Sequence, residues 1–165
     1  MAAQLPDIVL LNGKVRDLYS NPLETYWEKT GRKRPDFKTQ QNCNRGYVAS
    51  WSIEGSNLVL TDITGIYYRA SLFGSRERQI TIGRLFPKSK SRAILANWFS
   101  GKLRIPDGNM TAYDHNSYNS RFEKEIIVTI DKGKVIKMVI LDYTRQRLTV
   151  DTNFNSQGPK ASRYQ

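Results

Sequence analysis

Apolar and polar positions alternate along most of this chain, and a two-residue period predicts strands with one buried and one wet face. "GYVASWSIEG" puts Tyr47, Ala49, Trp51 and Ile53 on one face and Val48, Ser50, Ser52 and Glu54 on the other. "NLVLTDI" follows across Glu54-Gly55-Ser56 as its hairpin partner, and "GIYYRASLF" extends or follows that strand. Asn12-Gly13, a dipeptide suited to positive φ at both positions, predicts a hairpin over residues 7–19. The strongest hairpin signal is "RFEKEIIVTI" and "KVIKMVILDY" around Asp131-Lys132-Gly133. "RQITIG" predicts one more strand, which ends in the Pro87 loop.

One segment changes period. In "SNPLETYWEKTGRKRP", Asn21 can cap a helix, Pro22 suits its first position, and Gly31 suits its exit. Leu23, Tyr26 and Trp27 then share one face, a stripe that reads as core packing. "NWFSGKLRIPDG" reads as a structural corner. Trp98 and Phe99 are buried, Ser100-Gly101 allows a bulge or bend, and Leu103 and Ile105 point inward while Lys102 and Arg104 point outward. Pro106 ends that strand or places it at a sheet edge, and Pro106-Asp107-Gly108 reads as a turn.

Together these elements predict a mainly β protein, with an α+β class as the variant. The expected architecture is an antiparallel sandwich or a strongly bent sheet or barrel with one short N-terminal helix. One β-rich domain is expected over residues 5–143. From about residue 144 the pattern fades into a basic, flexible tail over 144–165. At 165 residues, one core is the natural expectation.

Composition adds a partner class. Lys and Arg number 26 against 15 Asp and Glu, a net charge of +11, and such an excess draws polyanions whatever the fold beneath. Two runs carry much of it: Lys29, Arg32, Lys33, Arg34 and Lys38 in the first, and Arg76, Arg78, Arg84, Lys88, Lys90 and Arg92 in the second. Nucleic acid, a nucleotide or an acidic protein surface would each answer that charge. The N-terminus lacks the basic start and long apolar stretch of a signal peptide, and no apolar run is long enough to span a membrane, so a soluble cytoplasmic protein without membrane contact is expected.

Candidate chemistry is sparse. Cys43, the one cysteine, sits in a polar Asn-rich turn and cannot form an internal disulfide or a cysteine-based zinc site. Phosphate-binding loops, dinucleotide fingerprints, zinc-helix motifs and calcium loops are all missing from the sequence. No cofactor is implied. A metal site would rest on Asp62, Glu123 and Glu125, yet Glu123 and Glu125 more simply share the wet face of a strand with Arg121, and no metal is expected. The sole histidine, His115, lies beside Asp114 in "TAYDHNSYNSR", but neighbours in a chain seldom face each other and no nucleophile has a recognisable setting. A ligand-contacting loop of Tyr113, His115, Asn116 and Tyr118 is the better functional reading, since such side chains stack on bases and offer hydrogen bonds.

"YVASW", "LFP", "NWFSGKLRIPDG" and "YDHNSYNSRFEKEIIVTIDKG" resemble the signature segments of a family of small bacterial proteins with no assigned activity. The resemblance spans residues 19 to 142 and brings no function with it. It implies that the aromatic loop before the last hairpin belongs to a shared pattern, with Tyr113, His115, Tyr118, Ser120, Glu123 and Glu125 at matching positions.

The sequence therefore points to binding rather than catalysis. The expectation is an anionic ligand, nucleic acid or nucleotide, received by Arg32, Lys33, Arg34, Lys102, Arg104, Tyr113, His115 and Tyr118. The alternatives are an inhibitor or immunity-type protein covering an acidic surface of a toxin or defence enzyme, and a small phosphodiester hydrolase.

Overall fold

The computed structural model describes residues 4–115 and 118–144. The hairpins form where the turn chemistry places them. Strands β1 (Asp7–Leu11) and β2 (Lys14–Leu18) join through Asn12 at φ 53° and Gly13 at φ 77°. The helix α1 (Pro22–Thr30) ends at Gly31, whose left-handed conformation lets its N–H reach the Trp27 carbonyl at 3.1 Å. Its start departs from expectation. The Asn21 side chain makes no cap and instead donates to the Tyr118 hydroxyl at 3.0 Å.

Strand β3 (Tyr47–Glu54) pairs antiparallel with the long β4 (Asn57–Ser71), so "GIYYRAS" extends the strand before it. β4 runs on into a second hairpin with β5 (Gly74–Gln79). That shifts the strand expected at "RQITIG" toward the N-terminus. Thr81 leaves extended pairing to cap a short second helix, α2 (Ile82–Leu85), its hydroxyl accepting from the Arg84 N–H at 3.1 Å. After the two-residue β6 (Ile94–Leu95) come β7 (Gly101–Ala112), β8 (Arg121–Asp131) and β9 (Lys134–Asp142).

These strands make one large mixed sheet of order β2-β1-β3-β4-β9-β8-β7, with β5 and β6 also on β4. The mainly β class holds, while the antiparallel rule is broken once: β1 lies parallel to β3. The sheet bends until its two ends approach. The Tyr19 N–H donates to the Arg104 carbonyl at 2.7 Å and Arg16 pairs with Asp107 at 2.9 Å, ties that stop short of a ladder, so the sheet is not closed into a barrel.

The core is aromatic. Leu23, Tyr26 and Trp27 of α1 are buried against the sheet with Tyr47, Trp51 and Trp98, and Trp98 donates its indole N–H to the Pro22 carbonyl at 2.9 Å. Trp98 and Phe99 are buried as the corner reading requires, and the Gly133 N–H donates to the Phe99 carbonyl at 3.0 Å. Leu103 and Ile105 point inward with no exposure. Pro106 sits on the terminal strand of the sheet, where its missing donor costs nothing, but the expected turn after it is a register shift between Asp107 and Met110.

One buried ion pair lies beneath this core. The Asp7 carboxylate, fully buried, accepts from Arg45 at 2.8 Å, from the Ala49 N–H at 3.0 Å and from the Trp51 indole at 3.1 Å. Burial pushes its pKa above the usual carboxylate value, against the pull of Arg45 and the other two donors. Among the described residues no helix is long and apolar enough to cross a membrane. The tail read over residues 144–165 lies, apart from Thr144, outside the described residues.

Candidate functional site

Three residues of the first basic run, Arg32, Lys33 and Arg34, and one of the second, Arg84, line a single cleft. Segment 36–38 lies along the far half of β4: the Tyr68 N–H donates to the Asp36 carbonyl at 2.9 Å and the Lys38 N–H to the Ile66 carbonyl at 2.8 Å. Lys38 then reaches across to Glu77 of β5 at 2.7 Å. This seam needs glycine. A Cβ on Gly46, at φ 81°, would stand 2.6 Å from the Phe37 Cβ, and one on Gly65 would stand 2.6 Å from the Gly46 carbonyl oxygen.

The seam brings Arg32 and Lys33, from the loop after α1, face to face with Arg69 of β4 and Arg84 of α2 around a cleft of about 620 Å³. Among the described residues Asp36 is the one acidic residue in its lining. The lining also includes the buried Tyr67 and the half-buried Tyr68, and the Arg84 guanidinium lies 5.7 Å from the centre of the Tyr67 ring. Arg32, Lys33, Arg69 and Arg84 are exposed, and none forms an ion pair among the described residues. A groove with four unpaired cations can hold a phosphate backbone.

Arg34 is built differently. Its guanidinium pairs with Glu24 at 3.1 Å, donates to the Arg45 carbonyl at 2.8 Å and lies over the rings of Trp27, Phe37 and Tyr47. Tyr47 in turn donates its hydroxyl to Glu24, and burial pushes the Tyr47 phenol far up. Arg34 thus forms the floor of the cleft.

The remaining predicted contacts lie elsewhere. Arg104 is held by Glu125, donates to the carbonyls of Tyr118 and Ser120, and lies 5.2 Å from the centre of the Tyr19 ring. Tyr118 stacks on Tyr19 at 4.9 Å, and its hydroxyl accepts from Asn21 and from Arg45 at 3.1 Å. Arg104 and Tyr118 therefore meet, as a clasp on the loop before β8. A cavity of about 520 Å³ among Arg104, Tyr118, Arg121, Phe122, Glu125 and Tyr143 has its Arg104 charge already answered by Glu125. Glu125 is buried, not on a wet face, because Arg104 and Tyr143 close over it. Lys102, Tyr113 and His115 are exposed, away from the cleft lining. Asn116 lies outside the described residues. Cys43 is buried, with its thiol donating to the Tyr47 carbonyl at 3.3 Å.

Sequence reasoning missed Tyr67, Tyr68 and Arg69 as site residues. Their signal was the unbroken strand 57–71, too long for the body it pairs with, whose far end carries an arginine among tyrosines. Comparison with protein-family models, with curated proteins and with solved structures finds no match for this chain.

Proposed function

We propose that this protein binds nucleic acid through the cleft between the loop after α1, the β4–β5 hairpin and α2. One observation carries the reading: the loop after α1, the far end of β4 and α2 bring Arg32, Lys33, Arg69 and Arg84 to a single cleft, and none of the four forms an ion pair among the described residues. Four like charges gathered against a single acid, Asp36, repel one another, so the arrangement costs stability unless a polyanion relieves it. Cations contributed by three separate elements favour an extended polyanion over a single bare phosphate.

The test is the affinity of the intact chain for a labelled mixed-sequence oligonucleotide at two salt concentrations, with Arg32→Ala/Lys33→Ala/Arg84→Ala beside the wild type. The expected result is an affinity that falls steeply with salt, and a triple variant that binds weakly with a flatter salt dependence. An affinity indifferent to salt, or a triple variant that binds like wild type, overturns the reading.

A further inference from the structure

The β4–β5 hairpin projects from the body, and its tip is built against the usual rule for surfaces. Leu72 and Phe73, the two residues that close it, are each 96% exposed. Every residue of β5 is exposed as well. Turns of this kind are ordinarily polar. A fully exposed Leu-Phe pair does nothing for the fold.

Directly opposed residues of an antiparallel pair share a face. Arg69 stands opposite Arg76 and Tyr67 opposite Arg78, so Tyr67, Arg69, Arg76 and Arg78 occupy the same face of the ribbon. Tyr68 and Glu77 take the other, where Glu77 is paired with Lys38. The hairpin has thus sorted its charges: three arginines on one side, its acid on the opposite side. Among the described residues none of the three forms an ion pair. Setting Arg69 against Arg76 is destabilising on its own. The arginine face continues from Tyr67, so it runs from the cleft to the apolar tip.

We infer that the hairpin is a nucleic-acid-binding arm: its arginine face follows the backbone of a single strand leaving the cleft, and Phe73, with Leu72, packs on an unstacked base. This rests on the nucleic-acid reading of the cleft and deepens it by naming the form of the ligand. Charge favours an anionic strand over an apolar partner. A single strand offers its base faces freely, whereas a duplex must be unstacked before a wedge can enter.

The experiment compares binding of a labelled DNA single strand, the same sequence as duplex, and an abasic strand of equal length. The proteins are wild type, Phe73→Ser, Leu72→Ser and Arg32→Ala/Lys33→Ala. Full exposure of the tip means that its variants fold as wild type does. Single-strand affinity is expected to fall by roughly 5- to 100-fold in Phe73→Ser, as for loss of one base–aromatic stack, and abasic affinity to change little. If the tip variants bind the single strand as wild type does while Arg32→Ala/Lys33→Ala binds weakly, the arm is refuted and the cleft stands. If no oligonucleotide binds at low salt, both fall. Tighter binding of the duplex, or capture of wild type but not Phe73→Ser by phosphatidylserine vesicles without oligonucleotide binding, overturns the inference in favour of a wedge or a membrane contact.

Discussion

Replacing Asp7 by Asn is nearly isosteric, yet it should be among the most damaging single changes in this protein. Oδ1 accepts from Arg45 and from the Ala49 N–H, and Oδ2 accepts from the Trp51 indole, so three donors converge on two oxygens. An amide keeps only one acceptor oxygen. Its NH₂ group must then face a donor, most directly Trp51, which strands a buried N–H at about 1–3 kcal/mol. The Arg45 side chain, only 10% exposed, also loses its counter-charge, and breaking a buried pair from one side costs about 3–5 kcal/mol in total. For a chain of this length that is a fall in Tm of roughly 6–20 °C. Urea unfolding at neutral pH, followed by tryptophan fluorescence and by circular dichroism, reads it. The same measurement on Asp7→Leu, Arg45→Met and their double variant gives the coupling: because burying two charges is itself costly, the double variant should lose less than the sum of the singles. A loss under about 1 kcal/mol in Asp7→Asn, or strict additivity in the cycle, would refute this account of the core.

Two further stability predictions follow from the same geometry. Gly46→Ala should lose about 1–3 kcal/mol from its positive φ alone, and more from the 2.6 Å approach to Phe37, and it should weaken the cleft with the seam; thermal unfolding and oligonucleotide affinity measured together would contradict this if both matched wild type. Asp107→Asn should lose under about 1 kcal/mol at neutral pH, since the Arg16–Asp107 pair is partly exposed. Burial opposes, but the Arg16 hydrogen bond and charge and the Gly108 N–H together hold the Asp107 carboxyl below its usual value, so its contribution is present above about pH 4 and vanishes as pH falls through its folded value. Urea midpoints of variant and wild type should converge at low pH, and a constant gap would contradict the assignment.

Local pattern made much of the fold legible. The α1 stripe, the Asn12-Gly13 and Lys132-Gly133 turns and the burial of Trp98 and Phe99 all depend on neighbours in sequence, where period and turn chemistry act directly. What stayed hidden depends on pairings across the chain. No local rule sets β1 parallel to β3, and none pairs Asp7 with Arg45, 38 residues on. Asn21 carries the residue type of a cap but spends its amide on Tyr118. Glu125 alternates as a wet residue should, and is buried because Arg104 and Tyr143 come over it from other elements. The cleft was half legible: both basic runs stood out, whereas the meeting of Arg32 and Lys33 with Arg69 and Arg84 depends on segment 36–38 lying along β4.

That meeting also changes what the charge of the chain means. A net charge of +11, taken as phosphate contacts, would give a slope of log affinity against log salt near −8 for a single strand, at about 0.7 per contact. That net charge already subtracts the cations held by acids, so what sets the slope is which of the remaining cations the ligand meets. Arg16, Arg34, Lys38, Arg45 and Arg104 are held by Asp107, Glu24, Glu77, Asp7 and Glu125. The cleft presents Arg32, Lys33, Arg69 and Arg84, which predicts a slope of about −3, and the arginine face of the arm adds Arg76 and Arg78, which brings it to about −4. Arg76→Gln/Arg78→Gln should therefore return the slope toward −3 while Phe73→Ser lowers affinity at every salt concentration and leaves the slope where it was. A slope near −8 would mean that the ligand reads the bulk charge of the chain, and the sorting of arginines onto one face of the hairpin would then have no bearing on binding.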